Sequence, residues 1–179
     1  MEFSRTSRPV LALVAVALVG CSTHQSSSGL PVGGHGPRPA DACTMLTSDQ
    51  VAAIVGTPGP FTGAHEDPAE DGTPVWGCTW GTHRSYADVR ELSAARFERV
   101  STPDPDTVLT PLRGIGDKAL LRKNRSDGGN SSVYFATAGR YYETQVTVDR
   151  HAYRDGPNAG REARAAQNLA KTLVPRLSH

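Results

Sequence analysis

Three cysteines, Cys21, Cys43 and Cys78, and six histidines carry most of the reactive chemistry in this 179-residue chain. Such side chains act as nucleophiles, metal ligands and general bases. Cys43, His65, Cys78 and His83 make a conceivable zinc set. No two of them show the C-x-x-C or H-x-x-x-H spacing that puts ligands on one turn, so a Cys43–Cys78 disulfide is the favoured reading. Glu66, Asp67, Glu70 and Asp71 offer oxygens, but they lack the alternating order and central glycine of a calcium loop. They read as a solvated acidic loop, and no metal is implied. Gly114-x-Gly116-x-x-Ala119 matches the relaxed dinucleotide fingerprint. That motif works between a strand and a helix. Here a proline-containing connector precedes it and a strand is expected after it, so it reads as a tight turn and no cofactor is implied. No G-x-S-x-G, H-E-x-x-H or S-x-x-K occurs. No catalytic residue is therefore assigned. A hydrolase would need the fold to bring His83 or His151 to a carboxylate and a hydroxyl. His24 and His35 fall in a linker-like stretch, and His179 is terminal.

The start of the chain explains the first cysteine. Arg5 and Arg8 precede the wholly apolar run Val10–Val19. A basic start and a short apolar core describe a secretory signal. At about ten residues the core is too short to cross a ~30 Å hydrocarbon layer. Leu18-Val19-Gly20-Cys21 then resembles the lipobox of bacterial lipoproteins. The resemblance implies cleavage between Gly20 and Cys21 and a diacylglyceryl thioether on the Cys21 thiol. Small residues beside the cut suit a peptidase, and only a thiol gives the thioether. Residues 1–20 are thus expected to be removed, leaving a protein lipid-anchored on the outer face of the cell membrane. Two acyl chains hold a protein stably, where one does not.

Removing Arg5, Arg8 and Glu2 from 19 basic and 18 acidic residues leaves 17 of each. A neutral domain has no general claim on nucleic acid. Nor does it carry a polybasic patch for anionic membranes. Residues 21–40 are rich in Ser, Gly and Pro and read as a flexible tether. Residues 41–179 are one domain's worth of chain. With Cys21 acylated, Cys43 and Cys78 remain as an even pair outside the cytoplasm, where disulfides persist. Their bond closes a 36-residue loop. The chain-entropy picture assigns such a loop about 3–4 kcal/mol.

The folded part reads as alternating short elements. Thr47 and Gln50 fit a capping box opening a helix over 48–55, which Gly56 stops. Residues 57–73 read as a loop. Residues 74–80 read as a strand with Trp76, Cys78 and Trp80 on one face. Residues 84–92 read as a strand and 93–100 as a helix capped by Ser93, with one continuous helix over 86–100 as the rival. Residues 101–112 carry three prolines and read as a connector. Strands follow over 118–122, 133–137 and 141–148, the first two separated by a hairpin turn at 126–130. In the last strand Tyr142, Thr144, Val146 and Val148 share an apolar face, and Tyr141, Glu143, Gln145 and Thr147 a wetter one. A helix over 159–174 closes the chain, with Pro175 ending it. The fold class is α+β: a twisted antiparallel sheet of about four to six strands against N-terminal and C-terminal helices, stapled once. Tyr134, Tyr141 and Tyr142 fall on adjacent strands and are the candidates for a ligand-facing ring. Arg122-Lys123-Asn124-Arg125 forms a small basic hairpin end, which reads as a solvated edge, with contact to an acidic polymer or lipid head group as the rival reading.

Several features occur in order: Cys43-x-x-Leu46 leading into the helix ending Val55-Gly56, the Cys78-Thr79-Trp80 strand, the Gly114–Asp117 turn and the alanine-rich last helix. Over about 41–175 this set resembles a family of exported actinobacterial lipoproteins known as a domain of unknown function. The resemblance implies an envelope lipoprotein with Cys43 and Cys78 paired, and brings no reaction with it. The sequence therefore points to a non-enzymatic binding or accessory module for an envelope ligand or membrane protein partner. An envelope hydrolase and a purely structural interaction protein are the alternatives.

Overall fold

A computed structural model describes residues 37–82, 84–125, 131–149 and 159–178. Its strands are β1 (Thr62–His65), β2 (Gly77–Gly81), β3 (Tyr86–Leu92), β4 (Thr107–Leu112), β5 (Lys118–Asn124), β6 (Ser131–Thr137) and β7 (Arg140–Thr147). They form one seven-stranded sheet in the order β1-β2-β3-β7-β6-β5-β4, and every neighbouring pair is antiparallel. The helices are α1 (Ser48–Val55), α2 (Ala94–Ser101) and α3 (Ala159–Leu177). The protein is α+β, with one strand more than the upper expectation of six.

The additional strands are the two edges. β1 lies inside the expected 57–73 loop, and β4 inside the expected 101–112 connector. β1 is exposed along its whole length, so no apolar alternation marks it. β4 contains Pro111. A proline removes a ladder donor, which an edge strand tolerates and a central one does not.

α1 forms where the capping box predicts. Gln50 N–H donates to Thr47 Oγ1 at 3.3 Å, and Thr47 N–H donates to Gln50 Oε1 at 3.1 Å. Gly56 closes the helix at φ 73°, a left-handed conformation that glycine adopts without a Cβ clash. The strand-then-helix reading of 84–100 also holds, with Ser93 Oγ accepting from Arg96 N–H. α3 runs past Pro175 to Leu177 rather than stopping. Leu177 is fully buried, and Ser178 Oγ meets Thr137 Oγ1 at 2.9 Å, so tertiary contacts hold the last turn.

The two faces of the sheet are covered differently. On the first, α1 and α3 pack over Trp80, Val89, Val133, Phe135, Tyr142 and Val146. Ala166 and Ala170 are fully buried there, and Thr144 Oγ1 donates to the Ala166 carbonyl at 3.2 Å. Small side chains let this helix sit close to the sheet. On the second face, among the described residues, α2 covers part of the sheet, with Phe97 and Val100 against Leu120 and Tyr134. That cover follows from connectivity. α2 links β3, beside the centre, to β4 at the far edge, and so must cross the intervening strands.

The disulfide joins Cys43 to Cys78. Gly63 makes room for it, since a Cβ there would stand 3.2 Å from Cys78 Sγ. Part of the expected tether packs on the fold. Trp76 Nε1 donates to the Pro39 carbonyl at 2.9 Å, and the Arg38 guanidinium lies 4.9 Å from the Trp76 ring centre.

Candidate functional site

Beside α2, on the second face, runs a groove of about 830 Å³. One wall is Arg96 and Arg99 of α2 with Asp104 of the following loop. The floor and opposite wall are Tyr86, Arg122, Ser132, Tyr134 and Gln145, from β3, β5, β6 and β7. Arg96 and Arg99 stand three apart, so they share a helix side. Both are exposed, and among the described residues neither guanidinium has a hydrogen bond or ion pair. Arg122 differs: its Nη2 donates to Asp104 Oδ2 at 2.7 Å, and its side chain is half-buried. Three guanidinium groups against one carboxylate make the groove lining positive.

The floor rests on a buried polar network. Glu143 is only 3% exposed. Register sets it between Arg90 of β3 and Tyr134 of β6. Its Oε1 accepts from the Tyr134 hydroxyl at 2.7 Å, and its Oε2 accepts from Arg90 Nε at 2.8 Å and Nη2 at 2.6 Å. Buried polar groups need such partners. This overturns the wetter-face reading of Glu143 and Thr147, both of which are buried. Arg90, 53 residues away, and Tyr134 on the neighbouring strand satisfy Glu143. Burial, then the Glu143 charge, raises the Tyr134 hydroxyl above its ordinary pKa. Next to this pair Asp88 lies opposite Thr79 and Gln145. Burial pushes its carboxyl up to about 8, helped by Glu143 and Glu66 and opposed by Arg90.

The three tyrosines separate. Tyr134 lies in the groove floor with its hydroxyl committed to Glu143. Tyr141 stacks on Phe97 at 4.7 Å and lines a smaller groove of about 580 Å³ on the second flank of α2. Tyr142 faces no groove. It is fully buried against Phe135 and Trp76, because odd and even positions of β7 point to opposite faces. Its hydroxyl makes no hydrogen bond among the described residues, and burial, then the Glu91 charge, pushes it up to about 12.

Of the metal candidates, His65 Nδ1 lies 3.9 Å from Cys43 Sγ and 3.8 Å from Asp41 Oδ1. The Cys43 sulfur is already bonded to Cys78, so it offers no thiolate. The acidic loop does not converge. Glu66 accepts from Thr79 Oγ1 at 2.8 Å, and Asp71 holds a turn through Thr73 N–H at 2.9 Å. The Gly114–Asp117 turn opens onto β5, not a helix. A Cβ at Gly116 would fall 2.2 Å from the Ala136 carbonyl oxygen, so this glycine serves close backbone approach. The basic hairpin end divides, with Arg122 and Asn124 lining the groove. Gly20, Cys21, His83, His151 and the 126–130 turn lie outside the described residues.

Arg96 and Arg99 are not among the residues that motif reasoning selects. The signal for them is two arginines three apart on the predicted 93–100 helix. Their facing residues come from four separate strands and are invisible in sequence. No helix among the described residues is long and apolar enough to cross a membrane. No family model, no curated protein and no solved structure matches the chain.

Proposed function

We propose that the protein is a lipid-anchored module of the bacterial cell envelope that binds an envelope ligand in the groove beside α2. The anchoring half of this reading is supported by the basic start, the ten apolar residues Val10–Val19 and Leu18-Val19-Gly20-Cys21. The binding half is carried by one observation: a groove of about 830 Å³ whose guanidinium-bearing wall faces a floor built on a buried network. A ligand site needs concavity with a few placed polar groups on a rigid support. Glu143, tied to both Arg90 and Tyr134, supplies that support.

The test places a photo-crosslinking residue at Ser132 in the groove and, separately, at Lys171 on the exposed side of α3, in cells making the full chain. The reading predicts membrane retention that Cys21→Ala abolishes, and a discrete adduct from position 132 only. Equal labelling at both positions, or membrane retention unaffected by Cys21→Ala, contradicts it.

A further inference from the structure

We infer that the ligand of this groove is a phosphate-bearing polyol. This deepens the binding reading above and rests on it. Arg96 and Arg99 project from one side of α2 with no carboxylate among the described residues to neutralise them. Guanidinium groups present planar paired donors that match phosphate oxygens, and they shed water more readily than ammonium groups. Arg122, on the facing strand, is oriented by Asp104 at 2.7 Å. One orienting carboxylate leaves the groove lining with an excess of two positive charges. The rest of the lining has a different chemistry. Ser132 and Gln145 are half-buried neutral hydrogen-bonding side chains on adjacent strands, directly opposed in register. Tyr86 and Tyr134 add ring surface nearby. Neutral polar donors and acceptors with ring faces suit hydroxyl-rich carbon chains, whereas the guanidinium pair suits the acid groups on them. A wholly apolar ligand would cover the Arg96 and Arg99 guanidinium groups without offering them an acceptor, which costs affinity.

Two sources share this chemistry, a polyol-phosphate polymer and the head group of a polyol phospholipid. Calorimetric titration of the detergent-solubilised full chain separates them. The probes are a short glycerol-phosphate oligomer, glycerophosphoinositol and a neutral malto-oligosaccharide. Binding of the oligomer alone assigns the polymer; binding of glycerophosphoinositol alone assigns the head group. Binding of both assigns the shared phosphate-polyol unit. The Arg96→Ala/Arg99→Ala double variant removes two exposed side chains, so its circular dichroism should match the parent. It should weaken phosphate-probe binding by at least about tenfold, one charge-assisted contact's worth. The matched Arg164→Ala/Lys171→Ala variant, on the exposed side of α3, should not. Equal weakening by both pairs means general charge attraction and overturns the inference. So does the absence of binding by either phosphate probe. Tight binding of the neutral oligosaccharide, unchanged in the arginine variant, also overturns it while leaving the binding-module reading standing.

Discussion

Replacing Asp88 with asparagine should flatten the pH dependence of stability. Asp88 sits in the middle of the sheet, opposite Thr79 and Gln145, with Glu143 and Glu66 near and Arg90 opposing their charge. Its folded carboxyl holds its proton up to about pH 8, whereas an unfolded Asp loses it near ~3.9. Between those values the folded state carries one proton more than the unfolded chain. Stability therefore falls as pH rises from about 4 to about 8, then levels off. Four pKa units at ~1.4 kcal/mol each set a ceiling of roughly 5–6 kcal/mol. Asp88 keeps some contact with water, so about half that, ~3 kcal/mol, is the expected change. Glu162 is also raised, by burial, and adds a slope of the same sign. It is present in both proteins and cancels in their difference. Urea unfolding of the parent and Asp88→Asn at about pH 5 and about pH 9 reads that difference directly. About three of those four units lie above pH 5, so the stability of the parent relative to Asp88→Asn should drop by ~2 kcal/mol over this interval. Two parallel pH profiles would refute the burial argument.

Other substitutions test separate parts of the structure. Gly116→Ala forces a Cβ to 2.2 Å from the Ala136 carbonyl at a φ of 55°, and should destabilise by about 3 kcal/mol in urea unfolding; a change below ~1 kcal/mol would mean the turn moves freely. Tyr142→Phe removes a buried hydroxyl with no hydrogen bond among the described residues, and should leave stability equal or raise it by about 1 kcal/mol. A loss above ~1 kcal/mol would reveal a partner for that oxygen. Paired Cys43→Ala and Cys78→Ala changes open a 36-residue loop and should lower stability by roughly 4 kcal/mol, read as a lower urea midpoint. An unchanged midpoint would show that packing alone holds α1 to the sheet.

Elements specified by neighbouring residues were legible in the sequence. The Thr47–Gln50 capping box and Gly56 bound α1 at both ends. Ser93 divides β3 from α2. Ala165, Leu169 and Leu173 mark the buried side of α3. Features decided by distant chain were not legible. Pro111 suggests a connector until its strand is known to be the edge. Pro175 suggests a stop until Leu177 is seen buried. Glu143 reads as a solvent-facing residue because Arg90 and Tyr134, which satisfy it, reach it only through strand register. The groove is hidden for the same reason. Its wall is one helix, but its floor is assembled from strands whose order departs from that of the chain.

The anchored-module account is tested most directly by the intact mass of native protein extracted from the membrane fraction. It predicts a chain beginning at Cys21, heavier by a diacylglyceryl group and lighter by the hydrogens lost in joining Cys43 to Cys78. A chain that begins upstream of Cys21 with an unmodified thiol there, recovered from the cytosol, would contradict it.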